Sequence, residues 1–514
     1  MKRALEKGGS MNRMDSDILY RVKVTITALT PLLVGGREPD RYVHLSSSAD
    51  GNGFIIPSSS IKGAIIERIK NIGETALLDF LGSDEKEGDI KLSEMKSTRL
   101  GKDYDERVRV SINPKTRTAD AGHLFLLAAA PKGSRFEGHI LFKREIPFET
   151  FRHFKRLLTS FPLFVGGGQT SGFGKVKIEL GEPEQLSGKL INSGLWQINL
   201  KPLTPYTSKP VSGRLQKSYF VPSKEVIEAS AILKVFKAER SGWFFPSDSP
   251  ARRCFPVPLT YYQEKTSDTV TPIDLIKELL YSRMKNAPFL LAKKETGARL
   301  IPMKGFASLG AHSEIIKVLP ITSYHVKRNE KVKTVEDFWF QASYKPEYFC
   351  GTLLVGEAGI ELPSFTQLGG SRGKGYGLFE VESPEPYKLW DTWERTVTSC
   401  SDFFASCLNP TPDGSKFFIP LLITSPTIPD SSLDQRFKLV QEFSKRTVVR
   451  RYLPDTGQTT LVPAVSPGSV WILQPVDDSL PLAPIVESLK QLKLRGIGSQ
   501  TENGFGDFEI YPWR

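Results

Sequence analysis

The chain has 514 residues, 39% of them apolar and 25% charged, a length beyond one ordinary core at roughly 100 to 200 residues per domain and a composition too apolar for a disordered polymer. Its 69 Lys and Arg against 57 Asp and Glu give a formal charge of +12, spread along the sequence, which suits a polyanionic partner as well as plain solubility. The four cysteines (Cys254, Cys350, Cys400, Cys407) form no C-x-x-C pair or Cys/His cluster, no apolar run reaches membrane-span length, and the start lacks a signal-peptide core, so no disulfide framework, structural zinc or membrane contact is expected, and a cytoplasmic protein with a disordered leader over 1–17 is.

Residues Tyr20–Ala28 alternate, with Tyr20, Val22, Val24 and Ile26 on one face and Arg21, Lys23, Thr25 and Thr27 on the other, which predicts a half-buried strand. A loop over 30–59 leads to a helix opening at Ser60, with Ile61, Ile65 and Ile69 on one face and Lys62 and Arg68 off it. Two middle strands are expected at 107–112 and 136–142. A second helix follows at 149–161, with Phe151, Phe154, Leu158 and Phe161 at helical spacing, and then a closing strand at 175–180. That order is the split β-α-β-β-α-β ferredoxin-like motif, a scaffold used for RNA binding.

A second unit starts near Trp196 and ends at Val381, with Pro- and Ser-rich insertions around 246–258 and a linker near 384–386. A third runs from about Phe417 to Tyr511, with clear strands in FFIPLLIT and GSVWIL. The expected class is α+β, tandem ferredoxin-like domains with glycine-rich loops and insertions, divided at 18–186, 187–388 and 389–514.

One pattern recurs at the end of each unit: Gly172-Phe173-Gly174, Gly375-Tyr376-Gly377 and Gly504-Phe505-Gly506, each preceded by further glycines and followed by an alternating strand. Glycine tolerates positive φ and lets the backbone approach another chain segment or a phosphate. A tight turn that packs its aromatic into the core would look the same in a single copy. Three copies at domain-sized intervals point to three related units.

Further segments carry a family resemblance: TPLLVGG (30–36), FIIPSSSIKGAIIERI (54–69), RVSINPKTRTADAGHLF (109–125), Gly133-Ser-Arg-Phe136 and GGGQTSGFGKVKIE (166–179). On these the N-terminal unit resembles the RAMP superfamily, and within it the backbone subunits of type III CRISPR effectors. Residues from about 190 onward resemble the handle-binding subunits of type III-D systems, through Arg328 and the DFWF segment (337–340), LGGSRGKGYG (368–377) and GIGSQTENGFG (496–506). Together the two resemblances imply a natural fusion of a backbone subunit to a handle-binding subunit. The implied partners are a crRNA, a complementary single-stranded target RNA, further backbone subunits, a large signalling subunit and a small helical subunit.

The resemblance also implies divalent-metal-dependent cutting of target RNA, with Mg2+ as the expected ion, by an aspartate between the first strand and first helix. Asp40 fits that place, in a run Asp40-Arg41-Tyr42-Val43 where the family pattern has Asn and Pro for Arg41 and Tyr42. A carboxylate there can hold a hydrated metal or take a proton, Arg37 and Arg41 can offset charge on phosphate oxygens, and His44 can carry a proton near neutrality. Read on its own, Asp40 is a solvated loop carboxylate beside Pro39, and Asp50 in Asp-Gly-Asn-Gly is a turn residue and the alternative carboxylate.

A guide is held by its ribose-phosphate chain, which asks for cations and backbone N–H groups. The candidates are Lys62 at the first helix start, Arg68, Arg109, Lys115 and Arg117 on the hairpin segment, and Gly167, Gly168, Gln169 and Lys175 around the first glycine loop. In the remainder of the chain they are Arg328, Gly370, Arg372, Lys374, Arg450 and Arg451. Two other readings stay open at this point: a scaffold that binds crRNA without cutting, and a metal-independent enzyme that processes the crRNA precursor. A Walker-type nucleotide site is disfavoured, since no G-x-x-x-x-G-K-[ST] occurs.

Overall fold

The computed structural model describes residues 18–34, 53–82, 88–98, 103–112, 115–143, 147–208, 220–265, 272–285, 300–308, 315–328, 335–407, 416–429, 435–453 and 458–511. In the first unit the strand Tyr20–Ala28 lies at the centre of the sheet, antiparallel to Arg135–Phe142 on one side and to Lys175–Gln185 on the other. Short strands Ile90–Leu92 and Met95–Ser97 extend the sheet beyond Arg135–Phe142. Helices Ser58–Ile72 and Phe148–Thr159 cover one face, burying Ile61, Ile65, Ile69, Phe154 and Leu158 against Val22, Val24 and Ile26. Strand order and direction are those of the ferredoxin-like motif.

Two expectations for this unit are corrected. The segment 107–112 is not a sheet strand: Asp105–Ile112 pairs only with Ala119–Ala129, as one arm of a separate hairpin. Its alternation of Arg and Val reads as half-buried, yet Val108 and Arg107 are both exposed. Phe161 is not on the buried helix face either, because the helix ends at Thr159 and the ring is 66% exposed, beneath the Arg68 guanidinium.

The sheet of the second unit is built around Gly194–Pro202, antiparallel to Tyr348–Val355 and to Leu378–Val381. Its first helix is Ala229–Phe236; in place of a second helix stand the short strands Ile360–Leu362 and Phe365–Gln367. The stretch expected as a linker at 384–386 instead contains the strand Glu385–Pro386, paired with Trp196 and Gln197. The third unit orders Phe437–Phe443, Val470–Pro475, Ile419–Ile423 and Phe508–Ile510 across its sheet and carries the helix Leu482–Arg495. Among the described residues no helix stands between Ile419–Ile423 and Phe437–Phe443. The helix Trp393–Cys407 precedes that strand and packs into two cores, one of them shared with the second unit.

Contact between units two and three includes a buried charge network. The Lys493 Nζ lies 2.8 Å from Asp507 Oδ1 and 2.9 Å from Glu509 Oε1, and it donates to the Phe508 carbonyl. Arg240 and Arg253 of unit two stand 3.6 and 3.5 Å from the same two carboxylates, and Tyr387 donates to Glu509. Burial alone pushes the Asp507 carboxyl up, but Lys493 and Arg240 outweigh it and hold the group below the usual carboxylate range. Its stabilising share is therefore present above the ordinary carboxylate pKa and is lost as pH falls through the lowered one. Lys493→Met leaves two buried carboxylates short of a cation and should cost about 3 to 5 kcal/mol, read as a shifted midpoint in denaturant unfolding; an unchanged midpoint would show that the two arginines suffice.

Candidate nucleic-acid interface

The glycine loops share one hydrogen-bond plan. In unit one the Val165 N–H donates to the Gly174 carbonyl (2.8 Å), the Gly174 N–H to Pro31 (2.9 Å) and the Gly167 N–H to Leu33 (2.8 Å). In unit two the same bonds run from Leu368 to Gly377 (2.8 Å), Gly377 to Pro205 (2.8 Å) and Gly370 to Thr207 (2.7 Å). In unit three they run from Ile497 to Gly506 (2.9 Å), Gly506 to Pro426 (3.0 Å) and Ser499 to Ile428 (3.1 Å). Each loop enters a single 3-10 turn from a left-handed residue (Gly168, Ser371, Gln500) and leaves it through another (Gly172, Gly375, Gly504). A Cβ at Gly174, Gly377 or Gly506 would lie 2.5, 1.8 or 1.9 Å from the carbonyl oxygen of Val165, Leu368 or Ile497, the residue that opens the same loop. These glycines are required for chain crossing, and the N–H groups of Gly167, Gly174, Gly370, Gly377 and Gly506 are spent on carbonyls within the fold.

A signal for this plan was present in the sequence and missed. Just past the end of each first strand, at Ala28, Pro202 and Ile423, comes a Ser/Thr-Pro pair, Thr30-Pro31, Thr204-Pro205 and Ser425-Pro426, and each prolyl carbonyl accepts the bond from the last loop glycine.

Each unit also inserts a long hairpin ahead of the strand that flanks its first strand. The arms are Asp105–Ile112 with Ala119–Ala129, Ile321–Arg328 with Val335–Ser343, and Arg446–Leu453 with Gln458–Val465. The first hairpin is tied to its glycine loop, since the Arg107 guanidinium lies 4.8 Å over the buried Phe173 ring and Leu127 and Ala129 pack against that ring with Leu33. At its far end Lys115 and Arg117 are exposed, Arg117 in a left-handed conformation at φ 55°. On the third hairpin Arg450 is exposed beside Val448 and Leu461, which are 60% and 68% exposed. Arg109, Arg328 and Arg451 lie on hairpin arms by backbone position, and their side chains are outside the described set.

The other expected residues divide by location. Lys62, Arg372 and Lys374 do come together, but at the seam between units one and two. Lys62 donates to the Gly373 carbonyl at 2.6 Å, and Ser58 to the Gly375 carbonyl at 3.3 Å. A shallow cleft there is lined by Ser58, Lys62, Leu92, Gln367, Arg372 and Gly375. The helix start expected to meet a phosphate thus meets loop carbonyls. Gly168 and Gln169 form the first loop's turn, where the Gln169 amide donates back to Gly166 (3.1 Å), and Lys175 projects from the closing strand with an exposed side chain. Arg68 stacks 5.5 Å over the Phe161 ring, a packing contact. Arg37, Asp40, Arg41, His44 and Asp50 lie outside the described residues. Among the described residues no group of three or more His, Cys, Asp or Glu is placed to hold a metal ion, and no helix is long and apolar enough to cross a membrane.

Three ferredoxin-like units, each with an inserted hairpin and a crossed glycine loop, define an α+β repeat protein. Residues 25–177, most of the N-terminal unit, match the model of the RAMP superfamily. Among solved structures the chain is similar to one described as "Type III-B Cmr-beta Cryo-EM structure of the Apo state", at 13% identity and a TM-score of 0.27, over 31% of this chain and 96% of that one. Another is "Cryo-EM structure of the Type III-B Cmr-beta bound to cognate target RNA", at 23% identity and a TM-score of 0.26, over 32% of this chain and 61% of that one. Comparison with curated proteins gives no match.

If Lys62 serves the seam, Lys62→Met should lower stability by about 1.5 to 3 kcal/mol, the worth of a hydrogen bond from a charged donor, and leave nucleic-acid uptake unchanged. Denaturant unfolding together with the absorbance ratio of the purified protein reads both; lost nucleic acid at unchanged stability would return Lys62 to phosphate binding.

Proposed function

We propose that this chain is a subunit of a type III CRISPR RNA-guided effector, that it holds a crRNA along its hairpins, and that its N-terminal unit cuts complementary target RNA. The observation that supports this reading best is the recurrence of the hairpin in all three units of a chain whose first unit matches the RAMP superfamily model. The first and third hairpins combine exposed cations with exposed aliphatic side chains: Arg107, Lys115 and Arg117 with Val108, and Arg446 and Arg450 with Val448 and Leu461. Cations suit the phosphates of a single strand, and an exposed aliphatic wedge suits the gap between unstacked bases. Sequence is then read by base pairing and not by the protein.

Cutting is assigned to the segment between the first strand and first helix, with Asp40 as the carboxylate, Asp50 as the alternative, and Arg37, Arg41 and His44 beside it. Asp40 would hold a hydrated Mg2+ that polarises the phosphate, and Mg2+ dependence is part of what the experiment reads. Labelled complementary RNA is incubated with the assembled complex in magnesium, with wild type compared with Asp40→Ala at equal crRNA content. Loss of specific cuts with target binding intact is the expected result. Cuts that survive both the substitution and chelator would point to acid-base processing chemistry. No cleavage by the wild type would leave a crRNA-holding scaffold.

The hairpin reading makes a separate prediction. Arg117→Ala and Arg450→Ala should each weaken RNA binding without regard to sequence and flatten the plot of log affinity against log salt by about 0.7, the value for one phosphate contact on a single strand. A salt slope equal to the wild type's would remove these residues from the interface.

A further inference from the structure

Each sheet has one face packed on its own helix layer and a second face turned away from it. In unit two the second face is covered: Asn199, Cys350 and Thr352 lie on it by register, all are buried, and the Asn199 amide donates to the Pro250 carbonyl at 3.3 Å. In unit three Leu422, Val470 and Ile472 lie on it, clustered with Cys400 and Phe404 of the helix Trp393–Cys407. In unit one the cover reaches one end of the face, where Leu141 packs with Phe365 and Leu378 and the Arg21 guanidinium lies 5.8 Å over the Phe365 ring.

The other end is open and carries a row of side chains set by strand register. Thr27 stands between Arg135 and Lys177, and Lys175, two residues before Lys177, stands opposite Phe164. Opposed residues share a face, as do residues two apart along a strand, so all five project from the open side while Ile26, Phe136, Val176 and Ile178 fill the core behind them. Arg135, Lys175 and Lys177 are exposed, and so is the Phe164 ring, at 44%. The nearest carboxylates are already engaged, Glu179 by Lys177 and Glu137 by Lys23, both at 2.8 Å, whereas Arg135 and Lys175 form no ion pair among the described residues. This end of the sheet therefore keeps a positive field with an aromatic ring at its edge, over four strands that span about 14 Å at roughly 4.8 Å per step.

Exposed cations beside an exposed ring suit a chain of phosphates with a base free to stack, which a duplex does not offer. Resting on the effector reading given above, we propose that this open face binds target RNA where that strand runs unpaired beside the guided stretch. The hairpins already carry the guide on that reading, and the first strand leaves this same end of the sheet for the segment that bears Asp40, so the strand to be cut is the occupant. Contact to phosphates and a base face gives no sequence preference.

The test places the photo-crosslinker p-benzoylphenylalanine at position 164 of the full chain in the assembled complex. The complex is irradiated alone, with a labelled target that ends flush with the guide, and with a labelled target that extends beyond it on both sides. An adduct that forms with the extended target only is the expected result. An adduct on crRNA, on a protein subunit, on the flush target or on nothing overturns the proposal. Target capture by the wild-type complex, read by gel shift, separates the two readings: capture without an adduct sinks this proposal alone, and no capture sinks both. Affinities for targets paired over a shortened stretch give a second readout. Phe164→Ala should weaken the extended target by about 5- to 150-fold, the worth of one stacked base, and leave the flush target unchanged. Arg135→Gln combined with Lys175→Gln should flatten the salt dependence of extended-target binding by about 1.4, two phosphate contacts at about 0.7 each. Variants that bind the extended target as the wild type does would overturn the proposal as well.

Discussion

At three places the closing strand of a unit passes so close to the exit of the first strand that a glycine must donate its N–H to a prolyl carbonyl, Gly174 to Pro31, Gly377 to Pro205 and Gly506 to Pro426. Proline is suited to the accepting side, because its fixed φ turns the chain out of the sheet and it has no N–H of its own to satisfy. On the donating side a β-carbon would collide with the carbonyl oxygen of Val165, Leu368 or Ile497, the loop residue that bonds back to the same glycine. This crossing sets where each glycine loop leaves the sheet, and hence which surface of the preceding unit it can reach in units two and three. The hairpin base in unit one is fixed by the same device, through the Phe173 ring that Arg107, Leu127 and Ala129 cover.

The two seams built on these loops are held differently. Units one and two meet through apolar contact, with Leu141 and Ile18 against Phe365 and Leu378, and through a buried ion pair between Glu94 and Lys345. Units two and three meet through Arg240, Arg253, Lys493, Asp507 and Glu509, five charges removed from water. Such a network contributes little net stability over a well-packed apolar seam. What it adds is an orientation requirement: Arg240 must reach the Leu494 carbonyl at 3.1 Å while also facing Asp507, which only one placement of the units allows.

Much of unit one was legible because its elements are long and one-sided. Val22, Val24 and Ile26 are buried on one face of the first strand, and Ile61, Ile65 and Ile69 on one face of the helix, so period and burial agree. The helix opens two residues ahead of Ser60 because Pro57 takes the N-cap place without a side-chain cap, leaving Ser58 and Ser59 to read as loop. Hairpins were harder to see. Their arms in units one and three are exposed on both faces in places, so a residue such as Val108 alternates with Arg107 and Arg109 without any core behind it. Strands of two or three residues, such as Phe365–Gln367 and Arg240–Ser241, fall below the length at which alternation can be recognised. Of the candidate site, Lys62 at the first helix start and the Arg372, Lys374 pair of unit two were read from the sequence as separate phosphate ligands; their meeting at a seam was not legible, because charge type alone cannot separate a phosphate from a carbonyl of the same chain. Asp40 and its neighbours rested on family resemblance, since a single loop carboxylate has no periodicity to mark it.

The same loop chemistry links fold to function through geometry. A loop that spends its outer N–H groups on Pro31, Pro205 or Pro426 has fewer left for a phosphate, and in units two and three its tip is seated on the preceding unit. On the proposed reading the guide RNA falls to the exposed ends of the hairpins, whose bases are tied to the glycine loops through Arg107 over Phe173 and Gln341 to Ser371. Because loop and hairpin are both anchored to the strands of one sheet, the spacing of the hairpins, and with it any register they impose on a bound strand in the proposed role, follows from the stacking of the units.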